Sequence, residues 1–152
     1  RVRAASEQVD IELGPMPEAT PVTLDERAVE IAIINLIDNA LKYAAEGKVV
    51  RVDLARSART AEIRITDRGP GVPAAERRRI FERFVRSQDA ATRRIRGSGI
   101  GLALVRQIAE AHGGKAWVVP AQPQGSTFII SLRRDLDPSE PVSPESRPTG
   151  ET

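Results

Sequence analysis

Apolar positions recur every three or four residues from Ile33 to Ala44. Ile33, Leu36, Ile37, Ala40, Leu41 and Ala44 make one broad helical face, and Asn35, Asp38, Asn39 and Lys42 make the opposite stripe. Just upstream, Thr23-Leu24-Asp25-Glu26 has the spacing of a capping box, in which Thr23 accepts from the third backbone N–H and Glu26 reaches back. A long helix is therefore predicted to start there, run to about Ala45 and stop at Gly47. A second helical run, Gly101–His112, ends at Gly113-Gly114. Strand-like alternation marks Val49–Leu54 and Ala61–Thr66, a hairpin across Arg56–Thr60, and then Lys115–Val119 and Ser126–Leu132. Gln8–Leu13 alternates as well, with Pro21–Thr23 as a candidate partner strand after the Gly14–Pro17 turn. This order predicts an α/β two-layer sandwich, a mixed sheet of about five strands covered on one face by about three helices.

The last eighteen residues, 135–152, hold four prolines and little apolar content. They are predicted to be an acidic disordered tail behind a folded domain of residues 1–134. No apolar run approaches the ~20 residues that cross a bilayer, and the N-terminus lacks a signal-peptide pattern. The chain has no cysteine, which excludes a disulfide framework and suits the cytoplasm. It starts at Arg1 without an initiator methionine and reads as an excised piece of a longer protein. The net charge of +2 is unevenly spread: residues 135–152 sum to −4, so the rest sums to +6. Eight arginines against Glu82 and Asp89 put that same +6 between Arg77 and Arg96. An anionic partner is implied near that segment.

Three groups of residues carry candidate chemistry. Asn35 and Asn39, at i and i+4, are poor interior helix formers where Glu, Lys or Arg would serve a solvated face. Amide oxygens bind a hard cation without adding charge, and Lys42 one turn on suits a phosphate. Asp67-Arg68-Gly69-Pro70-Gly71 follows a predicted strand. An ionised carboxylate only accepts, so Asp67 suits an exocyclic amine such as adenine N6, although a capping Asp in an ordinary turn has the same pattern. Gly97-Ser98-Gly99-Ile100-Gly101-Leu102 opens the second helix, where unpaired N–H groups and the dipole favour phosphate. It is not a Rossmann fingerprint, since the glycines run G-x-G-x-G with no clear strand before them, and it lacks the G-K-[ST] ending of a P-loop. His112, the sole histidine, sits at a helix end, where capping is the ordinary role. Ile80-Phe81-Glu82-Arg83-Phe84 reads first as a hydrophobic anchor for a loop.

Taken in order, these segments resemble the ATP-binding (Bergerat-fold) domain of two-component sensor histidine kinases, in the superfamily shared with DNA gyrase, the heat-shock 90 chaperones and MutL. Asn35–Tyr43 is similar to the N box, Asp67–Gly71 to the first glycine box and Phe81–Phe84 to the F box. Gly97–Leu102 is similar to the second glycine box and Gly125-Ser126-Thr127-Phe128 to the closing strand. The match spans roughly residues 7–132, and the arginine- and alanine-rich composition resembles actinobacterial members. The resemblance implies that Asn39 ligates Mg²⁺ bridging the phosphates of ATP, with Asn35 a ligand or positioning group. It implies that Lys42 meets phosphate, Tyr43 packs by the adenine and Asp67 accepts from adenine N6, with Gly69 and Gly71 shaping that pocket. Residues 86–96 would be the ATP lid, with Arg96 against the triphosphate and Gly97, Ser98, Gly99, Gly101 and Leu102 closing the phosphate end. Thr127 is a further candidate at the adenine end.

Hydrolases of the superfamily carry a glutamate at the position of Asn35, where it activates water. An amide has no useful basicity, so phosphotransfer rather than fast hydrolysis is implied. The chain has no phospho-acceptor motif, a His followed by Glu or Asp and a downstream Pro. The implied partners are therefore the kinase's own dimerisation and phospho-acceptor domain and a cognate response regulator. The fragment would be a monomer, and the parent a homodimer anchored in the cell membrane with this domain in the cytoplasm. A serine kinase acting on an anti-sigma system, a pseudokinase and a nucleic-acid-binding module are the alternatives. The last fits poorly, because the arginines lie in a glycine-bounded loop with few aromatics, and no nucleic-acid partner is expected.

Overall fold

The computed structural model describes residues 2–3, 10–15, 17–18, 20–43, 49–82 and 101–135. The strands are β1 (Val2–Arg3), β2 (Asp10–Leu13), β3 (Val49–Arg56), β4 (Thr60–Asp67), β5 (Ala116–Pro120) and β6 (Ser126–Arg133). The helices are α1 (Glu26–Tyr43) and α2 (Gly101–Ala111), with 3-10 turns at Ala74–Glu76 and Arg79–Phe81. One mixed sheet runs β1-β2-β3-β4-β6-β5, so the strand beyond the predicted five is the two-residue edge strand β1.

The sheet is mixed because β2 and β3 are parallel, with Ile11 opposite Val50 and Leu13 opposite Val52, while the other pairs are antiparallel. Adjacent parallel strands need a long crossover, and α1 supplies it. This corrects the expected strand at Pro21–Thr23: that stretch is the climb from the sheet to the helix layer and pairs with no strand. It is held instead by the chain leaving β6. The Asp135 N–H donates to the Pro21 carbonyl at 3.0 Å, and Thr23 Oγ1 donates to Asp135 Oδ2 at 2.8 Å.

The helix start also differs from the capping-box expectation. Asp25 is the cap: its Oδ1 accepts from the Ala28 N–H at 3.1 Å and its carbonyl from the Val29 N–H at 3.0 Å. Thr23 lies two residues too early to reach those donors and spends its hydroxyl on Asp135.

Alternation sets the core. Val50, Ile63, Ile65, Val118, Phe128, Ile130 and Leu132 share the buried cluster with Val29, Ala32, Leu36 and Ala40 of α1 and Val105, Ile108 and Ala109 of α2. Helix α1 lies over β3 and β4, α2 over β5 and β6, and the two helices pack on each other. On the other face, Arg64 is exposed, Thr66 bonds Thr127, and the Lys115 ammonium sits 5.8 Å from the Trp117 ring centroid. Ile80 and Phe81 are buried, and Phe81 meets Phe128 edge-on at 6.2 Å, a contact worth about 1 kcal/mol beyond its area. The aromatic anchor expected there is a core residue; Phe84 lies outside the described residues.

Gly113 (φ 72°) and Gly114 end α2. The Gly114 N–H returns to the Ala109 carbonyl, and a side chain at Gly114 would collide with the Ser131 carbonyl oxygen. Buried Arg134 closes the β3–β4 hairpin by donating to the Ser57 carbonyl at 2.7 Å. Among the described residues no helix is long and apolar enough to cross a membrane.

The cap assignment has a direct test in urea unfolding. Asp25→Ala should lose about 1 kcal/mol with the cap, and Thr23→Ala, which removes no cap, distinctly less. The reverse order would return the cap to Thr23.

Candidate functional site

The polar stripe of α1 divides in two. Asp38 and Lys42 are exposed, whereas Asn35 and Asn39 are half-buried. The asparagine pair is turned about 60° on the helical wheel toward the buried Ala32 and Leu36. Asn35 Nδ2 donates to the Ile31 carbonyl at 2.9 Å, which aims its Oδ1 at the start of α2. A Cβ built on Gly101 would stand 2.9 Å from that oxygen, so the glycine lets the start of α2 lie close against the Asn35 amide. The two helices thus bring Asn35 and Gly101 together across 66 residues of sequence. The Asn39 side-chain nitrogen is buried and has no hydrogen-bond partner among the described residues. Amide oxygen and nitrogen exchange places by a simple flip, so either atom of the Asn39 amide can occupy this buried position.

A second group closes the end of β4. Asp67 is 2% exposed and its Oδ1 accepts from the Gly69 N–H at 2.8 Å. Burial pushes its carboxyl above the ordinary value, opposed by the backbone N–H groups of Gly69 and Ser126. Gly125 (φ 105°) passes so close to the Asp67 carbonyl that no side chain fits there, and Gly71 (φ 82°) faces the Gly125 carbonyl. Gln124 Nε2 donates to the Arg68 carbonyl at 3.0 Å and completes the join between the β4 loop and the β5–β6 turn.

Register decides which residues share a face with Asp67. Its partner across the antiparallel pair is Ser126, 2% exposed, and both lie on the helix-bearing face with Ile65 and Phe128. Thr127, named as a candidate from the sequence, is on the opposite face, where its Oγ1 is 2.9 Å from Thr66 Oγ1. Ser126, which the motif pattern alone does not single out, is the position opposite Asp67 once the closing strand is paired. Leu102 is packed against the core beside Gly101. Tyr43 is the last residue of α1. Its side chain lies outside the described residues, as do Arg96, Gly97, Ser98, Gly99 and the segment 86–96.

A buried acceptor on one side and two amides with a glycine-started helix on the other suit a ligand with a hydrogen-bond-donating base and an anionic end. Residues 24–136 match the family described as histidine kinase-, DNA gyrase B- and HSP90-like ATPase. The chain belongs to that ATPase family. It is 36% identical over 133 residues to the sensor-like histidine kinase SenX3 of Mycobacterium tuberculosis, covering 87% of this chain and 32% of SenX3. The chain thus spans about a third of that relative's length. Among solved structures it resembles the mycobacterial sensor histidine kinase MprB, with 37% identity, TM-score 0.70 and coverage of 85% of this chain and 84% of that one. The ATP binding domain of PrrB from Mycobacterium tuberculosis is similar at 31% identity and TM-score 0.67, covering 84% and 81%. These relatives place the chain on the sensor-kinase side of the ATPase family, as its catalytic ATP-binding domain.

For an ATPase-family domain, the donor set fits a magnesium ion that arrives with its nucleotide. The described residues contain no cluster of three carboxylate, histidine or cysteine ligands, so they would not hold the bare ion. After an amide flip Asn39 would offer one neutral oxygen to such an ion, whose charge would serve the phosphates.

The raised carboxyl of Asp67 predicts a pH signature. Its folded value lies above its unfolded value, so the associated stability is complete below the unfolded value and is lost as pH rises through the folded one. Without ligand, Asp67→Asn should therefore gain thermal stability relative to wild type as pH rises from about 4 to about 7. A melting-temperature difference that stays flat, or shrinks, over that interval would show that ionised Asp67 is not penalised.

Proposed function

We propose that this domain binds ATP with Mg²⁺ and positions the γ-phosphate for transfer to a histidine on a separate dimerisation and phospho-acceptor domain of a two-component sensor kinase. The reading rests on the Asn35 amide seated against Gly101 at the start of α2. That contact puts a group with no basicity beside the helix N-terminus that suits phosphate. Water there finds no general base in Asn35, so the phosphoryl group is left for a better nucleophile.

The chain's own residues divide the work. Asp67 accepts from the adenine amino group, and its burial with Ser126 makes an unpaired Asp67 costly, which favours adenine over bases lacking that donor. Gly69 and Gly71 let the backbone approach the ring, and Tyr43 flanks it. Asn39 offers its amide oxygen to the metal, Lys42 carries positive charge to the phosphates, and the first-turn N–H groups of α2, from Gly101 and Leu102, face them. Gly97, Ser98, Gly99 and Arg96 extend that phosphate contact. Bound Mg²⁺ neutralises charge on the β- and γ-phosphates. The acceptor histidine attacks phosphorus, the bond to the β,γ-bridging oxygen breaks, and ADP leaves. The acceptor histidine and the response regulator lie on other domains or chains; the domain acts in the cytoplasm beneath a membrane-anchored parent, and its Arg77–Arg96 charge serves the triphosphate rather than a nucleic acid.

Calorimetric titration with AMPPNP and Mg²⁺ tests the pocket. Wild type should bind in the micromolar range, and Asp67→Asn at least about tenfold more weakly, since one charge-assisted hydrogen bond is worth 1.5–3 kcal/mol. With ATP and an isolated histidine-bearing helical hairpin, label should appear on the hairpin faster than free phosphate appears in its absence. Equal Asp67→Asn affinity, or release of phosphate without transfer, would refute the assignment.

A further inference from the structure

Helices α1 and α2 run antiparallel and meet at two points of defined chemistry. One is the contact of Gly101 with Asn35 at the candidate phosphate end. The other is at the far end, where the Asp25 N–H donates to His112 Nε2 at 2.9 Å. A backbone N–H only donates, so Nε2 is the acceptor. The proton of the neutral ring is therefore on Nδ1, which donates to the Ile108 carbonyl at 2.7 Å. The imidazole thereby spans from the cap of α1 to one of the last carbonyls of α2. Its own backbone is tied to the sheet, because the His112 carbonyl accepts from the Arg133 N–H at 2.9 Å.

The two meeting points are matched in length. Asp25 to Asn35 is about 15 Å of α1, and Gly101 to His112 is about 16 Å of α2, at 1.5 Å per residue. A helix transmits axial displacement along its length with little loss. Any slide of α2 along α1 at the His112 end therefore appears as the same slide of Gly101 past Asn35, where a Cβ would stand 2.9 Å from the amide oxygen. Routine capping of α2 requires only the bond to Ile108; the bond to Asp25 reaches 87 residues away and gives α2 nothing of its own.

We propose that His112 is a positioning residue for the nucleotide: by pinning the end of α2 to the cap of α1 it sets the register that holds Gly101 against Asn35. The inference rests on the ATP-binding reading above. His112 touches neither phosphate nor acceptor and acts through α2.

The test compares AMPPNP·Mg²⁺ affinity by calorimetry, well below each melting temperature, for wild type, His112→Ala, His112→Gln and Ile129→Ala. Ile129 is buried on the sheet face away from the helices, so its variant reports stability loss alone. His112→Ala should bind about five- to tenfold more weakly, Ile129→Ala like wild type, and His112→Gln, whose amide can accept from Asp25 and donate to Ile108, within about twofold of wild type. Binding by His112→Ala equal to wild type, or a His112→Gln as impaired as His112→Ala, would overturn the proposal while leaving the ATP site intact. Wild type that does not bind at all overturns both. Coupling is reciprocal, so a measurement on the wild-type protein serves if His112→Ala does not fold: saturating AMPPNP should slow amide exchange at Asp25, about 15 Å from the phosphate end. Unchanged exchange there counts against the proposal.

Discussion

A carboxyl group buried at the end of a central strand is the constraint around which the site end of this fold is built. Asp67 is 2% exposed, and burial alone would drive it toward the protonated form. The surrounding chain holds it with backbone donors instead of a cation: the Gly69 N–H from its own loop and the Ser126 N–H from the next strand. Those donors require the loop after β4 and the turn before β6 to lie almost on top of each other. That closeness is what excludes a side chain at Gly125, beside the Asp67 carbonyl, and puts Gly71 against the Gly125 carbonyl. A cation in contact would satisfy the carboxylate too well for it to recognise a ligand donor; two neutral N–H groups leave acceptor capacity open.

The second constraint is the antiparallel helix pair. Its apolar faces bury Val29, Ala32, Leu36 and Ala40 against Val105, Ile108 and Ala109, which secures the pairing. Directional contacts mark its two ends: a hydrogen bond to a ring nitrogen at one, the close approach of Gly101 to the Asn35 amide at the other. The same pairing turns the asparagine stripe out of solvent. A buried amide nitrogen without a partner among the described residues, as in Asn39, is unfavourable.

The order of elements was legible in the sequence, because periods of 3.6 and 2 report directly on helix and half-buried strand. The run from Ile33 to Leu41, the β3–β4 hairpin and the two closing strands all lie where alternation put them, within one or two residues. Asn35, Asn39, Asp67 and the glycines stood out as candidates because they are residue types that local structure does not call for. What patterning left wrong were matters of partner choice. A Thr-x-x-Glu spacing suited Thr23 as cap, yet Asp25 holds the position and Thr23 bonds a residue 112 positions away. Pro21–Thr23 has strand-like residues but no strand beside it, because β2 pairs with the parallel β3.

The sequence by itself therefore determined the composition of the fold, which segments are helix or strand and which face of each is apolar, and marked the candidates for chemistry. Tertiary structure alone decided the adjacency. Strand register put Ser126 rather than Thr127 beside Asp67, since a one-residue step in a strand reverses the face. Helix pairing brought Gly101 onto Asn35 and His112 onto Asp25, contacts separated by 66 and 87 residues. Local pattern depends on the backbone geometry of a few neighbouring residues. Adjacency depends on how the whole chain packs its apolar faces, which no short window of sequence contains.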